Sequence, residues 1–165
     1  MNFQVGDTVM HWNHGLGQIR GLEERKVSGE SQLYYAVQIQ DINIWVPADA
    51  MLASRLRRPT SAPAFKKLLP ILGGPAEALP IERHERKTLL RTKMASGDAG
   101  SLCHVIRDLT SREKEKPLND DDRSTLKRAR LMLLREWGYS LQVPLAQAED
   151  ELQELLSHSP TPTPD

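Results

Sequence analysis

Cysteine is almost missing from this chain: Cys103 is the only one in 165 residues. No internal disulfide can form and no cysteine cluster can hold a metal, which suits a reducing cytoplasm. Long apolar runs are missing as well. None approaches the ~20 residues that a helix needs to cross a bilayer. The N-terminus lacks a positive stretch followed by an apolar one, so no secretory leader is expected. No repeat of fixed period occurs. The pattern G-x-x-x-x-G-K-[ST] is absent, which removes the phosphate loop of a nucleotide-driven motor. No pair of carboxylates sits in an apolar setting, so an enzyme, a cofactor and a small-molecule substrate are not expected. Net charge is missing too, since 22 Lys and Arg match 22 Asp and Glu.

That balance hides an uneven distribution. Residues 1–53 carry 3 Lys/Arg against 6 Asp/Glu, residues 54–135 carry 19 against 10, and residues 136–165 carry 0 against 6. The middle is a basic block, and local positive charge attracts phosphates whatever the total. Helices carry solvated Lys and Arg in any case, so the block alone leaves nucleic-acid binding open.

The first fifty residues read as β structure. Tyr35, Val37 and Ile39 alternate, and Ile42, Ile44 and Val46 do so again, ending at Pro47. Gly6-Asp7 and Ser28-Gly29-Glu30 supply turns between the runs. Period two with turn chemistry predicts a small antiparallel sheet or barrel. Gly15-Leu16-Gly17 is read as a tight turn, because no helix follows to make it a phosphate loop. If Ile44 and Val46 face inward, Trp45 faces outward. An outward Trp is a candidate contact; the alternative is that a second element covers it. His11-x-x-His14 has no third or fourth ligand beside it, so a metal is not expected.

The stretch ASRLRRPTSAP, over about residues 54–62, reads as a linker, and helices follow. The first should cover Ala64 to Leu72, capped by Ser61 with Pro63 in its first turn. Pro70 strains its end and Gly73-Gly74-Pro75 stops it. The second should run from Pro80 to Ala95. Ile81, Leu89, Leu90, Lys93 and Met94 make a partial apolar face, and Arg83, Arg86, Lys87 and Arg91 crowd the others. The third should cover Ala99 to Glu115 and bury Leu102, Val105, Ile106 and Leu109. Cys103 is then a small core residue, and the adjacent His104 points elsewhere, so the two make no nucleophile–base pair. The fourth starts at the cap Asn119, with Asp122 placed for a capping box, and ends at Gly138. Its buried stripe is Leu126, Ala129, Leu133 and Trp137. A last acidic helix runs from about Pro144 to Leu156, and the tail has too little apolar content to fold.

Two stretches carry a resemblance. VGDTVMHWNHGLGQI, the turn at SGES, the pair Tyr34-Tyr35 and the closing VP resemble the N-terminal domain of the CarD/CdnL family. ASGDAGSLCHVIRDL, followed by a capped basic helix, resembles the family's helical domain. The resemblance spans roughly residues 1–156. Family members are bacterial transcription regulators that bind RNA polymerase, and their first domain recurs in the transcription-repair coupling factor.

The resemblance implies an α+β protein. An N-terminal Tudor-like small β-barrel covers 1–53, a C-terminal all-α domain of about five helices covers 61–157, and a disordered tail covers 158–165. It implies edge-to-edge pairing with the RNA polymerase β subunit, with Arg25, Trp45 and Pro47 as contacts. It also implies promoter DNA contact near the upstream edge of the melted bubble, through Arg83, Arg86, the adjacent Lys87, and Arg123. The family's DNA-wedging Trp aligns with Arg83. An Arg enters a narrow minor groove by charge but makes no apolar wedge. The implied function is modulation of open-complex stability at initiation. The alternative is a protein–protein adaptor whose β module binds another partner, with no DNA contact.

Overall fold

The computed structural model describes residues 2–160. Residues 161–165, most of the tail expected to be disordered, lie outside the described residues. The chain divides into two compact units, Met1–Pro59 and Thr60–Asp165.

The first unit contains β1 (Thr8–His11), β2 (Gly15–Val27), β3 (Glu30–Ile39), β4 (Ile42–Pro47), the short helix α1 (Leu52–Arg55) and β5 (Leu56–Arg57). Every pairing is antiparallel, in the order β4-β3-β2-β1-β5. This is the Tudor-like β unit expected. Period two selects its core: Val9, Ile19, Tyr35, Val37, Ile39 and Val46 are buried with Phe3, Leu52 and Leu56. Successive strand side chains alternate between faces, so their polar neighbours point outward.

Two expectations fail here. Gly15-Leu16-Gly17 is strand, not turn; the turn lies just before it, and Gly15 takes a φ of +88°. Gly17 is required for close approach. A Cβ there would stand 2.6 Å from Ile39 Cγ1 and 2.8 Å from the Gln38 carbonyl oxygen. The stretch read as a linker is also partly structured. Leu56 and Arg57 pair with His11 and Met10, because buried Leu56 completes the core beside the β1 edge.

Among the described residues the second unit holds five helices: α2 (Ala62–Gly73), α3 (Arg83–Ser96), α4 (Ala99–Glu115), α5 (Asp120–Ser140) and α6 (Leu145–His158). Helix α4 runs through its centre, with Leu102, Val105, Ile106 and Leu109 fully buried. Phe65 of α2, Leu133 and Trp137 of α5 and Leu152 of α6 pack into the same core. Asn119 caps α5 by accepting the Asp122 amide at 2.8 Å. No helix among the described residues is long and apolar enough to cross a membrane.

Four boundaries or faces differ from expectation. Helix α2 starts at Ala62, two residues before the expected Ala64, and carries Pro70 inside it up to the expected stop at Gly73-Gly74. Gly138 does not end α5, which runs on to Ser140. A Cβ on Gly138 would lie 3.2 Å from the Val143 carbonyl oxygen, so its bareness lets the chain fold back toward α6. Helix α6 reaches His158, taking in the first residue assigned to the tail. Helix α3 begins at Arg83, because the Glu82 carboxylate caps it by accepting the Glu85 amide at 2.7 Å. Ile81 therefore precedes the helix and is 89% exposed rather than on a buried face.

Candidate functional site

Each unit presents its own cluster of exposed side chains. In the β unit, Ile44 and Val46 pack inward and Trp45 stands outward, 43% exposed. Across the strands beside it are only Ala36 and Gly21, which leave room for the indole. The ring reaches Glu23, whose Oε2 accepts the indole N–H at 2.9 Å. The Arg25 guanidinium lies 4.4 Å from the ring centroid and 3.2 Å from the same carboxylate oxygen. Arg25 and Trp45 are thus brought together, and Glu23 joins them. The sequence reading missed Glu23; its place two residues before Arg25, on the same face of β2, was the available signal.

Pro47 sits half-buried at the end of β4, opposite Tyr34. Among the described residues β4 pairs with β3 alone, so its other edge carries no strand. An exposed cation–π contact contributes only about 0.5–1 kcal/mol. An exposed ion pair contributes about 0–1 kcal/mol. The cluster is ordered but inexpensive to rearrange when another chain arrives.

The His11 imidazole shapes the β1–β2 turn. Its Nδ1 accepts the Asn13 and His14 amides, each at 3.1 Å, and its ring stacks on His14 at 5.0 Å. Burial and then the charge of His14 lower its pKa from 6.5 to about 4. With Nδ1 occupied by the backbone, His11 serves the turn. Cys103 is fully buried, and burial, then the charge of Glu136, push its thiol up to about 12. It stays a protonated thiol in the core.

In the helical unit Arg83, Lys87 and Arg91 recur every fourth residue along α3, all exposed. Residues at this spacing share one face. Asp121 at the start of α5 accepts from Arg83 at 3.4 Å and faces the Lys87 ammonium at 3.6 Å. The Arg83 hydrogen bond and the nearby Lys87 charge lower the pKa of Asp121. Arg123 donates to Asp120 at 3.2 Å and to the Leu118 carbonyl at 2.9 Å. Exposed Lys127 follows it one turn later. Arg91 and Lys127 add exposed cations beyond those expected, and the four-residue spacing signals both.

Arg86 does not belong to this surface. Its side chain is 5% exposed and its Nε donates to Asp122 Oδ2 at 2.8 Å. Its Nη1 donates to the Pro80 and Ile81 carbonyls at 3.1 and 3.0 Å. A guanidinium buried and bonded on both edges is not displayed to a phosphate. Asp122 correspondingly turns its carboxylate to Arg86, so the reciprocal half of the expected capping box is not its role.

Both units have known counterparts. Residues 3–59 match the CarD-like/TRCF RID domain. Residues 67–153 match the CarD, C-terminal domain. The chain is 30% identical over 138 residues to YdeB of Bacillus subtilis (strain 168), described as a candidate transcription factor. That alignment covers 81% of this chain and 89% of YdeB. A RID-type β module followed by a CarD helical domain defines a class of transcription regulators. The chain belongs to the CarD family.

Proposed function

We propose that this chain binds the β subunit of RNA polymerase with its first unit and upstream promoter DNA with its second. The observation that carries the reading is the unpaired edge of β4, with exposed Trp45 held under Arg25 beside it. An open edge offers main-chain hydrogen bonds to an added strand, and flanking side chains supply specificity. Trp and Arg are the residues most enriched among binding hot spots. Arg83, Lys87, Arg91, Arg123 and Lys127 supply the positive surface for the duplex. Ile81, rather than Arg83, is the apolar side chain available to press against a base step.

The protein acts by binding and not by catalysis, in the cytoplasm where polymerase and promoter meet. A ligand that favours the open promoter raises its population only by its differential affinity for that state. Full-length protein retained on immobilised core polymerase tests the docking surface. Trp45→Ala should weaken retention roughly tenfold, as loss of a hot spot does. Unchanged retention removes β4 as the docking edge.

One observation favours the adaptor reading. Arg83 and Lys87 share Asp121, and Arg123 faces Asp120, so part of the basic surface is neutralised locally. A salt series separates the two readings. Binding of duplex DNA that falls steeply with salt supports the regulator; no binding, even with polymerase present, supports the adaptor.

A further inference from the structure

The buried Arg86–Asp122 pair joins the helices that carry the two basic rows and belongs to neither row. It joins α3 and α5 close to their N-terminal ends. One edge of the guanidinium holds Asp122 and the other holds the Pro80 and Ile81 carbonyls, where the chain enters α3. Immediately outside it, Asp121 collects Arg83 and Lys87. The adjacent acids of α5 therefore grip α3 twice, once at the surface and once in the interior. The interior grip is the stiffer one. Low local dielectric strengthens it, and the planar fork fixes its direction.

We propose that the Arg86–Asp122 pair is a positioning device that sets the register of α3 against α5. It thereby holds Arg83, Lys87 and Arg91 of α3 in one fixed direction along a duplex backbone. The proposal rests on the DNA reading above and assigns Arg86 no phosphate contact. A row from one residue to the eighth after it spans about 12 Å of helix. Duplex DNA carries one charge per about 1.7 Å of axis, so such a row meets several phosphates only if its direction is held. Preorganisation of this kind removes the ordering cost that loose side chains would bring to the complex.

Neighbouring acids give the test opposite signs. Anisotropy of a labelled 20-base-pair duplex is titrated with full-length protein at several salt concentrations, with thermal melts confirming the fold. Asp121→Asn removes an exposed negative charge and should tighten binding a few-fold. Asp122→Asn makes the same charge change one residue along, yet should weaken binding about five- to tenfold. Were Arg86 a phosphate contact, freeing it from Asp122 would tighten binding instead, and that result overturns the proposal.

If Asp122→Asn does not fold, the double variant Arg86→Met/Asp122→Leu decides. It keeps the net charge, and buried ion pairs are commonly replaceable by apolar groups without loss of fold. Binding about tenfold weaker in a folded double variant supports positioning. Wild-type affinity with a wild-type salt slope reduces the pair to a structural role and overturns the proposal. Salt-independent or absent binding by the wild type instead brings down the DNA reading, and this proposal with it.

Discussion

The β unit and the helical unit display their candidate contacts by opposite means. In the β unit, strict alternation sends Val46 in and Trp45 out, so a residue's face follows from its parity. In the helical unit, Arg83, Arg86 and Lys87 lie within five residues of one helix, yet one of the three is buried. Helical spacing alone does not say which side meets a neighbour carrying an acid. A strand reveals its outward residues from its own sequence; a charged helix reveals them only after its partner is in place.

Several measurements would break or sharpen that contrast. The largest effect is expected in the helical core. Trp137 is fully buried, with its ring 5.7 Å from that of Phe65. Trp137→Ala should cost about 3–5 kcal/mol in urea unfolding followed at the helical unit. Chemical shifts of Val9 and Val37, in the other core, should stay in place; if both move, the two units are not separable in this way.

Next comes the β core. Gly17→Ala places a methyl against Ile39 Cγ1 and the Gln38 carbonyl. Overpacking of this kind costs about 1–3 kcal/mol, read as a lower urea midpoint for the β unit. A wild-type midpoint would mean that β3 yields easily and that the outward face is less rigidly set than the parity argument requires.

The outward cluster should matter for binding more than for folding. Arg25→Ala removes the guanidinium over Trp45 and should weaken polymerase retention by about 1–2 kcal/mol, near tenfold. Stability should fall by less than about 1 kcal/mol, since the side chain is exposed. A stability loss larger than the binding loss would make the cluster a structural clasp.

Acid should act on the β unit through His11. Its folded pKa, about 4, lies below the ordinary 6.5, so the unfolded chain binds more protons between these values. Stability tied to His11 is therefore present above pH 6.5 and is lost as the pH falls toward 4. The loss should be about 1–3 kcal/mol, since each pKa unit is worth about 1.4 kcal/mol. His11→Asn keeps a side chain able to accept the turn amides and should flatten that part of the stability–pH curve. A curve unchanged by the substitution places the acid sensitivity elsewhere.

The smallest effect is electrostatic. Lys87→Ala should reduce the salt slope of duplex binding by about 0.9, the value for one phosphate contact. An undiminished slope would take Lys87 off the DNA-facing row.

Much of this architecture was legible beforehand. The α4 boundaries and the Asn119 and Ser61 caps follow from local rules, because a cap side chain bonds an amide three residues away. The outward set of Trp45 followed from the alternation of its neighbours. The strand at Leu56–Arg57 was hidden, since a two-residue strand has no period and exists only through its pairing with β1. Gly17 was misread for a similar reason. A glycine that admits a neighbouring strand looks, in sequence, like a glycine that turns. Ile81 was assigned to a buried face because the Glu82 cap, which starts the helix two residues later, is not among the usual cap residues.

By itself the sequence determined two units of different class, the alternating and helical stripes that supply part of each core, and a basic middle between acidic ends. Those properties rest on periodicity, capping and composition, which act over a few residues. Only the tertiary structure decided which charges are displayed. It buried Arg86 against Asp122, set Asp121 between Arg83 and Lys87, and closed Glu23 and Arg25 around Trp45. Each of those contacts joins different helices or strands, and the energy of a charge depends on its depth and on which opposite charge stands within a few ångströms.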